Sequence, residues 1–137
     1  KDVKKYVDGS IETAREKGYA ETLFGRRRYL PEINSSVVMV RKGAERMAIN
    51  TPLQGTAADM IKVAMIKIAR EIDWKSVKML LQVHDELLFE IEEDKVEKAA
   101  KKIKEIMENV IKLNVPIIVD AKAGDNWGEL KQLTFDS

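Results

Sequence analysis

The chain reads as an α+β fold, with antiparallel strands packed on helices, and three observations across its 137 residues predict it. Apolar residues recur at helical spacing in four separate stretches. Two runs of period-two alternation flank His84-Asp85-Glu86 with no room for a helix between them, which marks an antiparallel hairpin. The helices and this hairpin follow one another without the strand–helix alternation of a parallel sheet.

Composition sets the class. With 45% apolar and 34% charged residues, 137 residues can bury a real core within a single soluble domain. The absence of cysteine excludes a disulfide framework and thiol-based metal or redox chemistry. No apolar run approaches a membrane span and no signal peptide is visible, so a cytoplasmic protein is expected. A net charge of +1 excludes a generically basic binder of polyanions, and any such contact must come from a local patch. Lys1, Lys4, Lys5, Arg15, Lys17, Arg26, Arg27, Arg28, Arg41, Lys42 and Arg46 provide one in the first third, whereas Glu86 to Asp94 is acidic. Many charges of both signs without cysteine also suit a heat-stable protein.

Val3, Tyr6, Val7, Ile11 and Ala14 form one face of a helix from Asp2 to Lys17, with Gly18 at its C′ position. A strand over Tyr19 to Leu23, a turn at Phe24-Gly25 and a return strand over Arg26 to Leu30 follow, ending before Pro31. On alternation Arg26 and Arg28 share a face and Arg27 takes the other. Guanidinium groups there could grip phosphates bidentately, or be solvated or paired within the protein.

Asn34, Ser35 and Ser36 are candidate caps for a helix through Val37, Val40, Ala44, Met47 and Ala48. Pro52 lacks a backbone donor and opposes the carbonyl of Ala48, which predicts a kink or break near Asn50-Thr51. If the kink is mild, Arg46, Asn50 and Gln54 stack along one face at a spacing of four. That row is either an ordinary polar helix face or a set of donors for acceptors on bases and sugars.

From Gly55 a further helix carries an apolar stripe of Ala57, Ile61, Ala64, Met65, Ile68 and Ile72, with Asp59 a structural charge near its start. The hairpin covers Val77 to Glu92. Its tip has no Gly or Asn to supply positive φ, so something besides turn propensity selects His84-Asp85-Glu86. Function is one reason, and an exposed acidic turn is the other. Asp94, with Glu97 three residues on, reads as a capped helix start whose stripe is Val96, Ala99, Ala100, Ile103, Ile106, Met107, Val110 and Ile111. A last strand is expected over Ile117 to Ala123, and then a turn at Gly124-Asp125-Asn126-Trp127.

Gln82-Val83-His84-Asp85-Glu86 resembles motif C of the bacterial DNA polymerase I group, family A. The segment from Glu45-Arg46-Met47 through Asn50-Thr51-Pro52-Leu53-Gln54-Gly55-Thr56-Ala57-Ala58-Asp59 is similar to a second signature of that family, and Thr22-Leu23-Phe24-Gly25-Arg26-Arg27-Arg28-Tyr29 to a third. The three stand in the family's order, and the resemblance reaches Asp125-Asn126-Trp127.

The resemblance implies that residues 1–137 form the C-terminal palm of a DNA-directed DNA polymerase, with an adjoining helix and hairpin over 1–31. It implies a partial polymerase domain with an antiparallel palm-type sheet, serving replication or repair on nucleoid DNA. Asp85 is then a catalytic carboxylate and metal ligand, with Glu86 catalytic at the edge of the site, and the cofactor is Mg²⁺ as two ions. Arg46, Asn50, Gln54, Gln82, His84 and Arg28 are then DNA-binding, and the partners are primer–template DNA and deoxynucleoside triphosphates.

Motif A, with its Asp, and the Lys- and Tyr-bearing fingers helix are absent from this sequence. Lys1 already falls inside a predicted helix, so a remaining polymerase portion on the same or a second chain is expected, and activity needs it. Asp120 and Asp125 read more simply as surface and turn residues. The alternative is a non-catalytic nucleic-acid-binding fragment. A His-Asp phosphohydrolase would need further histidines, and His84 is the only one.

Overall fold

The computed structural model describes residues 2–135, as two compact units, Lys1–Asp59 and Met60–Ser137. It contains helices and small two-stranded antiparallel sheets, as the sequence predicts.

In the first unit, α1 (Asp2–Lys17) ends where Gly18 takes φ 75° and donates its N–H to the Ala14 carbonyl at 2.8 Å. That positive φ turns the chain straight into β1 (Tyr19–Glu21), which pairs with β2 (Arg27–Tyr29). Both strands are shorter than predicted, because the chain from Thr22 to Arg26 is a tight turn closed by its own bonds. Thr22 N–H donates to the Arg26 carbonyl at 2.9 Å, and Gly25, at φ 80°, donates to the Thr22 carbonyl at 3.0 Å.

A 3₁₀ turn over Pro31–Asn34 leads to α2 (Val38–Asn50). The expected side-chain cap does not form. Val37 is the N-cap residue, while Ser35 Oγ accepts from Val37 N–H and the Ser35 carbonyl accepts from Arg41, two bonds that brace the loop instead. The core of the unit is Ala14, Ala20, Leu30, Ile33, Ala44 and Ala48. Its small helical residues bring α1 and α2 close enough for Tyr6 Oη to donate to the Ile49 carbonyl at 2.9 Å. The predicted stripe of α1 buries only Ala14 fully, and Val3 is 76% exposed.

The second unit centres on Ala64 and Ile68 of α3 (Thr56–Glu71), Val77 of β3 (Val77–Val83), and Ile103, Ile106 and Val110 in and just after α4 (Val96–Glu108). Met79, Leu87, Phe89 and Ile91 of the hairpin, β3 with β4 (Glu86–Ile91), pack on them, so the sheet lies on helices as expected.

The register differs from simple alternation. Met79 pairs with Phe89 but Leu81 with Leu88, so Leu80 is an extra, bulged residue. Beyond it Gln82 pairs with Leu87 on the core-facing side, while Leu81 and Val83 join Leu88 and Glu86 on the other face. Leu81 is accordingly half exposed.

The Asp94 cap also fails. A 3₁₀ turn over Glu93–Lys95 precedes α4, Lys95 is the N-cap residue, and Asp94 pairs with the Lys95 ammonium at 2.6 Å.

The predicted strand over Ile117 to Ala123 reduces to β5 (Lys122–Ala123), paired with β6 (Lys131–Gln132). Side chains take the place of a neighbouring strand. Lys104 donates to the Val119 carbonyl, Glu108 Oε1 accepts from Val119 N–H at 2.9 Å, and the two side chains pair at 2.7 Å. This clasp satisfies both backbone polar groups of Val119 without a ladder. It also holds the Glu108 carboxyl below its usual value, through the Lys104 hydrogen bond first and the Val119 N–H after it. The turn from Gly124 is present, and Asn126 caps it by accepting from Gly128 N–H at 3.0 Å.

Candidate nucleic-acid interface

Pro52 cannot sit in an ordinary helical turn, since it donates no hydrogen bond and its ring crowds the carbonyl four residues back. The chain answers with a widened, π-helical turn over Thr51–Gly55 between α2 and α3. The predicted kink is therefore an inserted residue's worth of slack, and helical backbone continues through it.

The consequence for the side chains is direct. Arg46 and Asn50 from α2 and Gln54 from the widened turn line one cleft of about 500 Å³. Arg26 and Arg28 of the β1–β2 hairpin line it too, and its remaining lining residues are Gly43, Met47, Thr51 and Gly55. Three arginines and no acidic side chain border it, so its own groups favour an anion. Thr51 adds a signal that the sequence hides: its buried Oγ1 has no hydrogen-bond partner.

Arg27 points elsewhere, as alternation predicts. It pairs with Glu21 at 2.7 Å and lies 4.6 Å from the centre of the Tyr19 ring, which itself packs edge-on against Tyr29.

Asp59 is a structural charge, as the sequence reads it, and its partners come from the hairpin. It is 6% exposed, and Oδ1 accepts from Arg26 Nε at 2.7 Å while Oδ2 accepts from Thr22 Oγ1 at 2.8 Å. Thr22 Oγ1 also accepts from the N–H groups of Phe24 and Arg26, at 3.3 and 3.2 Å, so its single proton goes to Asp59. Arg26 Nη2 reaches the Gly55 carbonyl at 3.2 Å, and Thr56 Oγ1 accepts from Leu23 N–H at 3.0 Å. A Cβ on Gly55 would stand 2.7 Å from Thr22 Cγ2, so this approach requires glycine.

The other candidate residues lie in the second unit. His84 and Asp85 form a two-residue turn between Val83 and Glu86. His84 adopts φ 54°, the only positive φ among the described non-glycine residues. Gln82 Nε2 donates to the His84 carbonyl at 3.2 Å. The carboxylates of Asp85 and Glu86 are exposed, and neither pairs with a described residue.

Hard oxygen donors of this kind suit Mg²⁺, but no group of three His, Cys, Asp or Glu that could hold a metal occurs among the described residues. Asp120 accepts weakly from Gln132, at 3.4 Å, and Asp125 sits exposed in its turn, which fits the surface and turn roles read from the sequence. No helix among the described residues is long and apolar enough to cross a membrane.

Residues 1–129 match DNA polymerase family A. The chain is 48% identical over 130 residues to a thermostable DNA polymerase I of Thermus filiformis, covering 95% of this chain and 16% of that protein. It is 47% identical over 131 residues to DNA polymerase I of Bacillus subtilis, covering 94% of this chain and 15% of the relative. Among solved structures it is similar to the POL domain of Pol1 from M. smegmatis in complex with DNA primer-template and dNTP. That match has a TM-score of 0.79 and 48% identity, over 82% of this chain and 20% of the other.

Proposed function

The chain belongs to DNA polymerase family A, and on that premise we propose that it is the motif C-bearing palm portion of a DNA-directed DNA polymerase. Residues 1–31 are then the helix and hairpin adjoining that palm. Because it spans about 16% of the length of a curated relative, the remaining portion, with motif A and the fingers, would complete the active site. Primer–template DNA and deoxynucleoside triphosphates are the partners in this reading, in the cytoplasm of a bacterium.

The observation that carries it is the cleft. Arg46, Asn50 and Gln54 bring donors to one cleft, and acceptors in the minor groove occupy similar places in every base pair. Such a set of donors tests pair geometry without preferring a sequence. Arg28 supplies a guanidinium suited to a backbone phosphate.

At the hairpin tip the turn presents Asp85 as one ligand for Mg²⁺, with Glu86 at its edge. A pair of such ions, one held by Asp85 and the other by ligands from the remaining portion, would supply Lewis-acid chemistry for the primer hydroxyl and the leaving pyrophosphate. His84 and Gln82, which share a bond through the His84 carbonyl, hold the tip's shape and meet the primer end.

The test uses a polymerase domain carrying residues 2–129 in place of a relative's matching stretch. Gln54→Ala or Arg46→Ala should slow extension from mismatched ends more than from matched ends, by removing a hydrogen bond worth roughly 1–3 kcal/mol. Equal rates to those of the parent from both ends would remove the cleft from the primer site. The alternative reading, a nucleic-acid-binding fragment without catalysis of its own, is served by the same arginine-lined cleft.

A further inference from the structure

We infer that Asp59 is a positioning residue for the cleft: it grips Arg26 by Nε and so aims the guanidinium into the cleft that Arg46, Asn50 and Gln54 also line. The inference rests on the reading of that cleft as the DNA face.

A buried carboxylate beside a site for a polyanion needs a reason, because its charge repels the ligand and its desolvation opposes folding. Here the reason is geometric. Arg26 has a long, rotatable side chain that is about half exposed, and a lone surface arginine would sample many directions. Two anchors remove that freedom. Asp59 Oδ1 takes Nε at 2.7 Å, the Gly55 carbonyl takes Nη2 at 3.2 Å, and Nη1 keeps its donors for a ligand. Asp59 is itself fixed by Thr22 Oγ1, whose proton has nowhere else to go because two backbone N–H groups already donate to that oxygen.

The same bonds fix the widened turn. Arg26 holds the carbonyl of Gly55, the residue after Gln54, while Thr56 Oγ1 holds Leu23 N–H. The hairpin that carries Arg26 and Arg28 is thereby tied to the turn that carries Gln54, and the two sides of the cleft keep one spacing. Gly55 permits this tie, since a Cβ there would come within 3.2 Å of Arg26 Nη2 as well as striking Thr22.

The test is the sign of a charge change. Asp59→Asn deletes a negative charge next to the DNA face, and by charge alone it should tighten binding. Positioning requires the reverse: the affinity of the 137-residue chain for a fluorescent primer–template duplex at low salt falls roughly tenfold, the effect of losing a charge-assisted hydrogen bond. Arg26→Lys, which keeps the charge and leaves Asp59 in place, should fall as far because it lacks Nε and the planar fork. The pair Arg26→Ala with Asp59→Asn should bind no worse than Arg26→Ala alone, since no guanidinium remains to aim.

Nitrogen-15 NMR reads the clasp without DNA. The Arg26 Nε–H signal should be protected from exchange in the parent chain and lost in Asp59→Asn. Arg46→Ala separates the two claims. If it leaves affinity unchanged, the cleft is not the DNA face and both claims fall. If it weakens binding while Asp59→Asn and Arg26→Lys bind as well as or better than the parent, only the positioning role is wrong.

Discussion

At His84 a side chain occupies a backbone conformation that L residues other than Gly, Asn and Asp seldom adopt, at φ 54° in a two-residue turn. Left-handed conformations cost roughly 1–2 kcal/mol for ordinary residues, and asparagine bears them more easily. His84→Asn should therefore leave the hairpin equally or more stable in thermal melts while slowing primer extension by a completed polymerase domain. Full extension by this variant would mean that the imidazole has no part in the site. The sequence revealed half of this: the missing Gly or Asn was visible at the tip, whereas which residue takes the positive φ depends on how the strands pair. Asp59 was less legible. It stands 33 residues from Arg26 and 37 from Thr22, and only folding brings the three together.

Among the elements, helices were readable where one face meets a core, as in α3 and α4, whose Ile68, Ile103 and Ile106 fall on the predicted stripes. Periodicity failed at irregularities that act through a single residue. Leu80 bulges and reverses the faces of all residues after it in β3, so Leu81 and Val83 leave the side of Val77 and Met79. The run from Ile117 has strand propensity but is held by the Lys104 and Glu108 side chains. That clasp carries a pH signature. The folded Glu108 carboxyl titrates below the ordinary value of 4.5, so its stabilisation is complete above that value and is lost as pH falls through the folded pKa. Amide exchange at Val119 should accelerate on acidification below about pH 4.5, and Glu108→Gln should show fast exchange already at neutral pH. Exchange in the parent that is independent of pH, once corrected for intrinsic rates, would show that the carboxylate is not what holds the segment.

For the whole molecule, net charge and composition excluded more than they identified. A chain of net charge +1 gathers three arginines on one cleft, and its DNA affinity should follow those few groups. The slope of log affinity against log salt should be shallow and should lose about one unit in Arg28→Ala, as for the loss of one phosphate contact. An unchanged slope would place Arg28 away from the backbone. The central claim is that this chain contributes Asp85 to a metal site it does not complete alone. The most direct measurement is primer extension with Mg²⁺ and four deoxynucleotides, by the 137-residue chain and by a polymerase domain carrying its residues 2–129, each with and without Asp85→Ala. The account predicts no extension by the chain alone, extension by the completed domain, and loss of that extension in Asp85→Ala with primer–template affinity nearly unchanged. Extension by the isolated chain that disappears in Asp85→Ala, or undiminished extension by the completed Asp85→Ala domain, would contradict it.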